Sequence, residues 1–249
     1  MLAIEFKKIK RSWIVPLIFI APILVVASGI SNLSQYFTPE YTSAWPAMFI
    51  QSALAYAYYL LPLSMIVVCV LISARETQNN GILKMLALPV DRAKLSLAKF
   101  AVVMTFLFLE ILVFFVVFLV AGKVAISSHN ITEDIPILYL VTCCVKLFLT
   151  MIPAVALMWA ITVVFEKPIV SVGLNIFLVL PGILVANTGA WILYPYCYSG
   201  YFISCSLRDF TTETDSTRFQ LIPFLPCAVA LFALALAISV YRFGKKEMA

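Results

Sequence analysis

Charged side chains are scarce in this sequence: Asp, Glu, Lys and Arg make up 12% of its 249 residues, about half the share found in a soluble domain. With 63% hydrophobic residues and a mean hydropathy of +1.05, that scarcity excludes a soluble fold. It also leaves no room for a water-exposed catalytic domain of any size. Histidine is rarer still. The one imidazole, His129, excludes both a zinc site and a Cys–His nucleophilic pair. No G-x-x-x-x-G-K-[ST] phosphate loop occurs, so the chain does not hold ATP by that route. Lys and Arg are nowhere interleaved with aromatics in a polar stretch, which argues against a nucleic-acid partner despite the net charge of +5.

Cysteine is present without the spacing of a framework. Cys69, Cys143, Cys144 and Cys227 fall in apolar stretches, where a free thiol behaves as a small hydrophobe. Cys197 and Cys205 lie near an expected outer hairpin and are the pair that an oxidising side would allow to join. A cleavable leader is not expected. Lys7, Lys8, Lys10 and Arg11 precede an apolar stretch, but it runs from Trp13 to about Ile30 with no A-x-A-like site after it, and it reads as a retained span.

What the chain has is long apolar runs. A crossing helix needs roughly 20 mainly apolar residues, and six segments qualify: 13–33, 52–74, 96–121, 136–165, 169–187 and 221–242. The expected fold is therefore an all-α integral membrane protein, residues 1–249 forming a single transmembrane domain. Between the fifth and sixth spans Trp191, Tyr194, Tyr196, Tyr198 and Tyr201 mark a re-entrant or interfacial hairpin, since such rings favour the headgroup level. Ser206–Gln220, rich in Ser, Thr and mixed charges, reads as an exposed loop.

Orientation follows from the cations. With the N-terminus inside, the inner segments hold Lys7, Lys8, Lys10, Arg11, Arg75, Lys84, Arg92, Lys94, Lys99, Lys167, Arg242, Lys245 and Lys246, and the outer ones only Lys123, Arg208 and Arg218. The positive-inside rule then makes both termini cytoplasmic, with the chain a multi-pass protein of the bacterial plasma membrane. The polar stretch Arg75–Lys99 falls on the same side. Its first part, about 76–88, suits an amphipathic helix with Ile82, Met85, Leu86 and Leu88 toward the membrane. Pro89 ends it, because the residue before proline disfavours helical geometry. On pattern alone a solvated surface helix accounts for it equally well.

Two segments carry a family resemblance. Glu5-Phe-Lys-Lys-Ile-Lys-Arg-Ser12 before the first span, and Glu76…Gly81-Ile-Leu-Lys-Met-Leu-Ala-Leu-Pro-Val-Asp-Arg92…Lys99 after the second, resemble the ABC-2 type permeases. Within that family the small size is most similar to lantibiotic-immunity and bacitracin-resistance permease subunits. The resemblance implies a coupling helix between spans two and three that docks on a cytoplasmic ABC ATPase, present in two copies. Carried onto this sequence, the docking residues are Glu5, Lys8 and Arg11 on one element and Arg75, Glu76, Asn80, Gly81, Lys84 and Met85 on the other. It implies no cofactor on this chain, ATP and Mg²⁺ on the ATPase, and a second permease subunit, identical or related. The implied cargo is an amphipathic, membrane-active peptide.

Two ionisable residues fall inside expected spans: Glu110 in the third and Lys146 in the fourth. A charge in hydrocarbon costs about 2.5–3.5 kcal/mol on insertion scales. Either the two pair across the helices, or Glu110 faces a cavity on a substrate path, or the side chains snorkel. Pro62, Pro153 and Pro181 are expected to kink their spans, and Asn175 is expected to join helices. An intramembrane enzyme would need paired Asp residues, a Ser–His set or an H-E-x-x-H helix, none of which occurs. Exporters of other amphipathic peptides, drugs or lipid-linked molecules fit the sequence too, as does a membrane sensor or scaffold with a docking helix.

Overall fold

The computed structural model describes residues 14–31, 44–77, 92–129, 135–165, 167–208 and 219–244. Among these, every regular element is helical. In chain order they are α1 (Ile14–Ser31), α2 (Ala44–Ala55), a π-helical turn (Tyr56–Leu60), α3 (Leu61–Thr77), α4 (Arg92–His129) and α5 (Ile137–Val164). There follow α6 (Pro168–Val179), α7 (Gly182–Ala186), two 3₁₀ turns (Gly189–Leu193 and Pro195–Cys197), α8 (Tyr198–Arg208) and α9 (Leu221–Gly244). Helix is the open solution for apolar runs of this length, because a backbone in lipid must satisfy its own N–H and C=O groups.

Five stretches are long and apolar enough to cross a membrane: Met48–Ala74, Ala93–Val124, Ile137–Val164, Pro168–Ala186 and Leu221–Gly244. The first expected span, 13–33, is represented by α1, whose apolar part Ile18–Ser31 is by itself shorter than a crossing. Two of the expected boundaries move outward. The second crossing begins at Met48 rather than 52, and α4 is 38 residues long against the 26 residues of 96–121. Hydropathy drops where Lys94 and Lys123 enter, but Lys is a good helix former, so the helix outlasts the apolar run.

Proline shapes three joints. Pro62 has no N–H, so the carbonyl of Tyr58 loses its usual i+4 donor. Just ahead of it the helix widens into the π turn, where the Leu61 N–H reaches the Tyr56 carbonyl. Pro168 starts α6 at its first turn, where a missing N–H costs nothing. Pro181 divides α6 from α7, and its carbonyl accepts from the Val185 N–H at 3.0 Å. Pro153 is carried within α5, where it is buried.

Helix α5 is the centre of the bundle, packing against α9, α3, α4 and α8, while α1 lies along α4 and α2. The interior is rich in rings: Tyr56 stacks on Phe114 with centroids 4.8 Å apart, and Phe49 meets Phe118 edge-on at 5.1 Å. Close approach is built with glycine. A Cβ on Gly200 of α8 would overlap the ring of Tyr58, whose hydroxyl is 3.1 Å from Ser204 Oγ. At the end of the bundle that carries Lys94, Lys99 is buried with its Nζ 5.5 Å from the Phe243 ring centroid. There Ser96 Oγ and Ser239 Oγ, 3.3 Å apart, tie α4 to α9.

The segment after α7 is a folded cap. Helix α8 has 11 residues, or about 16 Å, too short to cross. Trp191 stacks on Tyr201 at 4.3 Å and meets Phe219 at 5.6 Å, and Tyr198 packs edge-on to Phe224 at 4.9 Å. The Tyr194 and Tyr198 hydroxyls donate to the carbonyls of Leu178 and Ile192. The expected loop at Ser206–Gln220 is helical at its start, since α8 runs to Arg208. Residues 209–218 lie outside the described residues.

Candidate functional site

Three places hold the residues singled out from sequence. The first is the end of α3. Arg75 and Glu76 occupy its last turn, so the helix of the second crossing runs on into the expected docking stretch. Asn80, Gly81, Lys84 and Met85, like Glu5, Lys8 and Arg11, lie outside the described residues, as does nearly all of the expected coupling helix 76–88.

The second place is the bundle interior around Glu110. This side chain is 0% exposed. Tyr56 from the π turn and Ser64 from the start of α3 present their hydroxyls toward its carboxyl group. Neither reaches hydrogen-bond geometry, for both carboxylate oxygens and the Tyr56 hydroxyl lack a partner. Tyr56 and Ser64 were not read from sequence. Their signal was the proline between them: a π turn before Pro62 re-aims the side chains on either side of it.

The third place is a groove of about 600 Å³ between α5 and α9, closed at one end by α8. Among the described residues Lys146 is its one charged lining residue, with Thr150 and Pro153 below it on α5 and Phe224, Ala228 and Phe232 facing them from α9. The expected Glu110–Lys146 pair is not formed. Glu110 is sealed among α3, α4 and the π turn, whereas Lys146 is on the outer surface of α5. Nor does Glu110 line the groove. The physical reason is helical phase: Lys146 is exposed with Val145 and Leu149, while Cys143, Cys144 and Leu147 take the buried side. Phe224, Ala228 and Phe232 were not read from sequence, though their i, i+4, i+8 spacing is a signal for one helix face.

A polar chain links the cap to the crossing helices. Tyr196 donates to Asn175 Oδ1 at 3.2 Å, Asn175 Nδ2 to the Ser171 carbonyl at 2.9 Å, and Ser171 Oγ to Thr162 Oγ1 at 2.9 Å. Asn175 therefore joins the cap to α6. Cys197 and Cys205 are not joined in a disulfide, and both are buried. The Cys197 thiol faces the Tyr194 carbonyl at 3.0 Å, and burial pushes its pKa up to about 12, which keeps it protonated and inert.

Comparison with known families resolves what kind of bundle this is. The family model for ABC-2 family transporter proteins matches residues 1–182. The chain belongs to the ABC-2 transporter family. Its match takes in the first five helices, the polar stretch after α3 and all of α6. No curated protein matches the sequence. As a member of this family the protein is the transmembrane component of an ABC transporter, a multi-pass membrane protein that partners with an ABC ATPase.

Proposed function

We propose that this ABC-2 protein is the permease subunit of an ATP-driven exporter that expels a membrane-active peptide of the lantibiotic type, conferring self-immunity or resistance. The observation that carries the reading is the character of its opening. The groove between α5 and α9 is walled by apolar side chains and opens on the outer surface of the helices. It suits cargo that has already partitioned into lipid, and peptides of this type do so. Glu110, buried to 0% exposure, serves the packing of α3 against α4 and contributes no charge to this route.

The energy comes from outside the chain. ATP and Mg²⁺ belong to the partner ATPase, two copies of which dock on the cytoplasmic side. The contact uses Glu5, Lys8 and Arg11 together with Arg75, Glu76, Asn80, Gly81, Lys84 and Met85. Continuity of α3 through Glu76 gives this contact a rigid lever, so that movement of the docked ATPase is passed into the second crossing. A second permease subunit, identical or related, completes the pathway, and both termini face the cytoplasm of a bacterial cell.

Survival of cells that express the complex, challenged with a panel of peptide antibiotics, tests the cargo. The expected result is protection against lantibiotic-type peptides that disappears when the ATPase is inactivated. Protection that persists without ATP hydrolysis would instead favour a sensor or scaffold. An ATP-dependent response confined to drugs or lipid-linked compounds would replace the peptide as cargo and leave the permease reading standing.

A further inference from the structure

We infer that the groove between α5 and α9 is a binding site for one anionic phospholipid, with its phosphate on Lys146 and an acyl chain along Phe224, Ala228 and Phe232. The geometry sets the direction of the ligand. Helices α6 and α7 cross back after α5, and α8 is too short to cross, so α5 and α9 run in the same direction. Lys146, first of the α5 lining residues, is about 14 Å into the crossing stretch that begins at Ile137. Pro153 and Phe232 form the deep end. From Leu221 to Phe232 the wall is about 16 Å long, close to one leaflet's half of a ~30 Å hydrocarbon core. The groove thus holds one cation inside the crossing, on the side closed by α8, with an apolar floor beyond it.

Charge complementarity selects the occupant. An ammonium at this depth needs an anion, and a lysine snorkels its head toward the mouth while its stem stays on apolar surface. Among the described residues of the five crossing stretches Glu110 is the one acid short of the helix ends, and it is buried on another face. The bilayer supplies phosphate and acyl chain together. The volume of about 600 Å³ falls within the ~300–1,000 Å³ range of small-ligand sites. The lipid site lies in the same groove as the proposed cargo route but does not depend on which cargo the transporter exports.

The test is native mass spectrometry of the detergent-solubilised full-length protein, in the complex in which it purifies, titrated with phosphatidylglycerol and phosphatidylcholine. Wild-type protein is expected to bind one phosphatidylglycerol on the order of fivefold more tightly than phosphatidylcholine, the scale of a single Lys–phosphate attraction. Lys146→Met should remove that preference and Lys146→Arg should keep it. Ala228→Trp, which fills the floor, should weaken both lipids. A preference that survives in Lys146→Met, or its absence from the wild type, overturns the assignment. So does an Ala228→Trp protein that loses its second subunit while its lipid binding is unchanged, since the groove would then be a subunit contact.

Discussion

Glu110 and Lys146 lie on consecutive helices, yet the bundle treats them in opposite ways. Glu110 is sealed at 0% exposure behind Tyr56 and Ser64, while Lys146 stands at the mouth of a lipid-facing groove. The contrast extends to the helices around them. About two thirds of the crossing window of α5 is buried (67%), against 17% for α9. One side of the molecule is a packed core in which any change of volume or charge is felt. The other is an adaptable surface whose partners are lipid, cargo or a second subunit. Charge inside a membrane span is thus not one signal but two, and packing decides which is meant.

The largest effect should come from reversing the sealed charge. Glu110→Lys places a cation where no carboxylate can reach it, at a cost of about 3 kcal/mol or more. The expected outcome is loss of monodisperse protein in size-exclusion chromatography, with Lys146→Glu giving a normal profile. Next in size is Gly200→Val, which drives a branched side chain into the Tyr58 ring. Overpacking of this kind costs ~1–3 kcal/mol, and a lowered unfolding temperature in a thermal-shift assay should report it. If Gly200→Val melts with the wild type, the close seating of α8 on the π turn is wrong.

Glu110→Gln preserves shape and removes the ionisable group. It should change stability by no more than about 1 kcal/mol, because the carboxylate oxygens it replaces make no hydrogen bond. A much larger loss, read in the same assay, would show that the Glu110 carboxylate holds an interaction that its oxygens do not display. Smallest of all is Lys146→Met, expected within about 0.5 kcal/mol of wild type in stability. A clear destabilisation there would move Lys146 into the packed side of the comparison.

These differences show what the sequence discloses of such a protein. Of the six spans that hydropathy predicts, five match crossing stretches, since a run of about 20 apolar residues has few other uses. The aromatic cap was legible for the same reason, as Trp191 and its tyrosine neighbours are chemistry for an interface. The π turn was not, because Tyr56–Leu60 differs from ordinary helix only through Pro62 and the packing around it. The fate of the two ionisable residues was hidden too. Depth in the membrane can be counted along a chain, but which way a side chain faces depends on where neighbouring helices settle. The polar stretch after α3 announced itself by its charges, and the family match covering it gives that stretch a context.

The central claim is that this permease is driven through its 75–99 stretch by a separate ATPase, and one measurement meets it directly. Glu76→Lys combined with Lys84→Glu reverses both charges at the proposed contact, and the ATPase that co-purifies with the membrane fraction is then quantified. The account predicts unchanged membrane insertion and a roughly tenfold loss of ATPase association, equivalent to ~1.4 kcal/mol. Full assembly and undiminished ATP-dependent export by the reversed protein would contradict it.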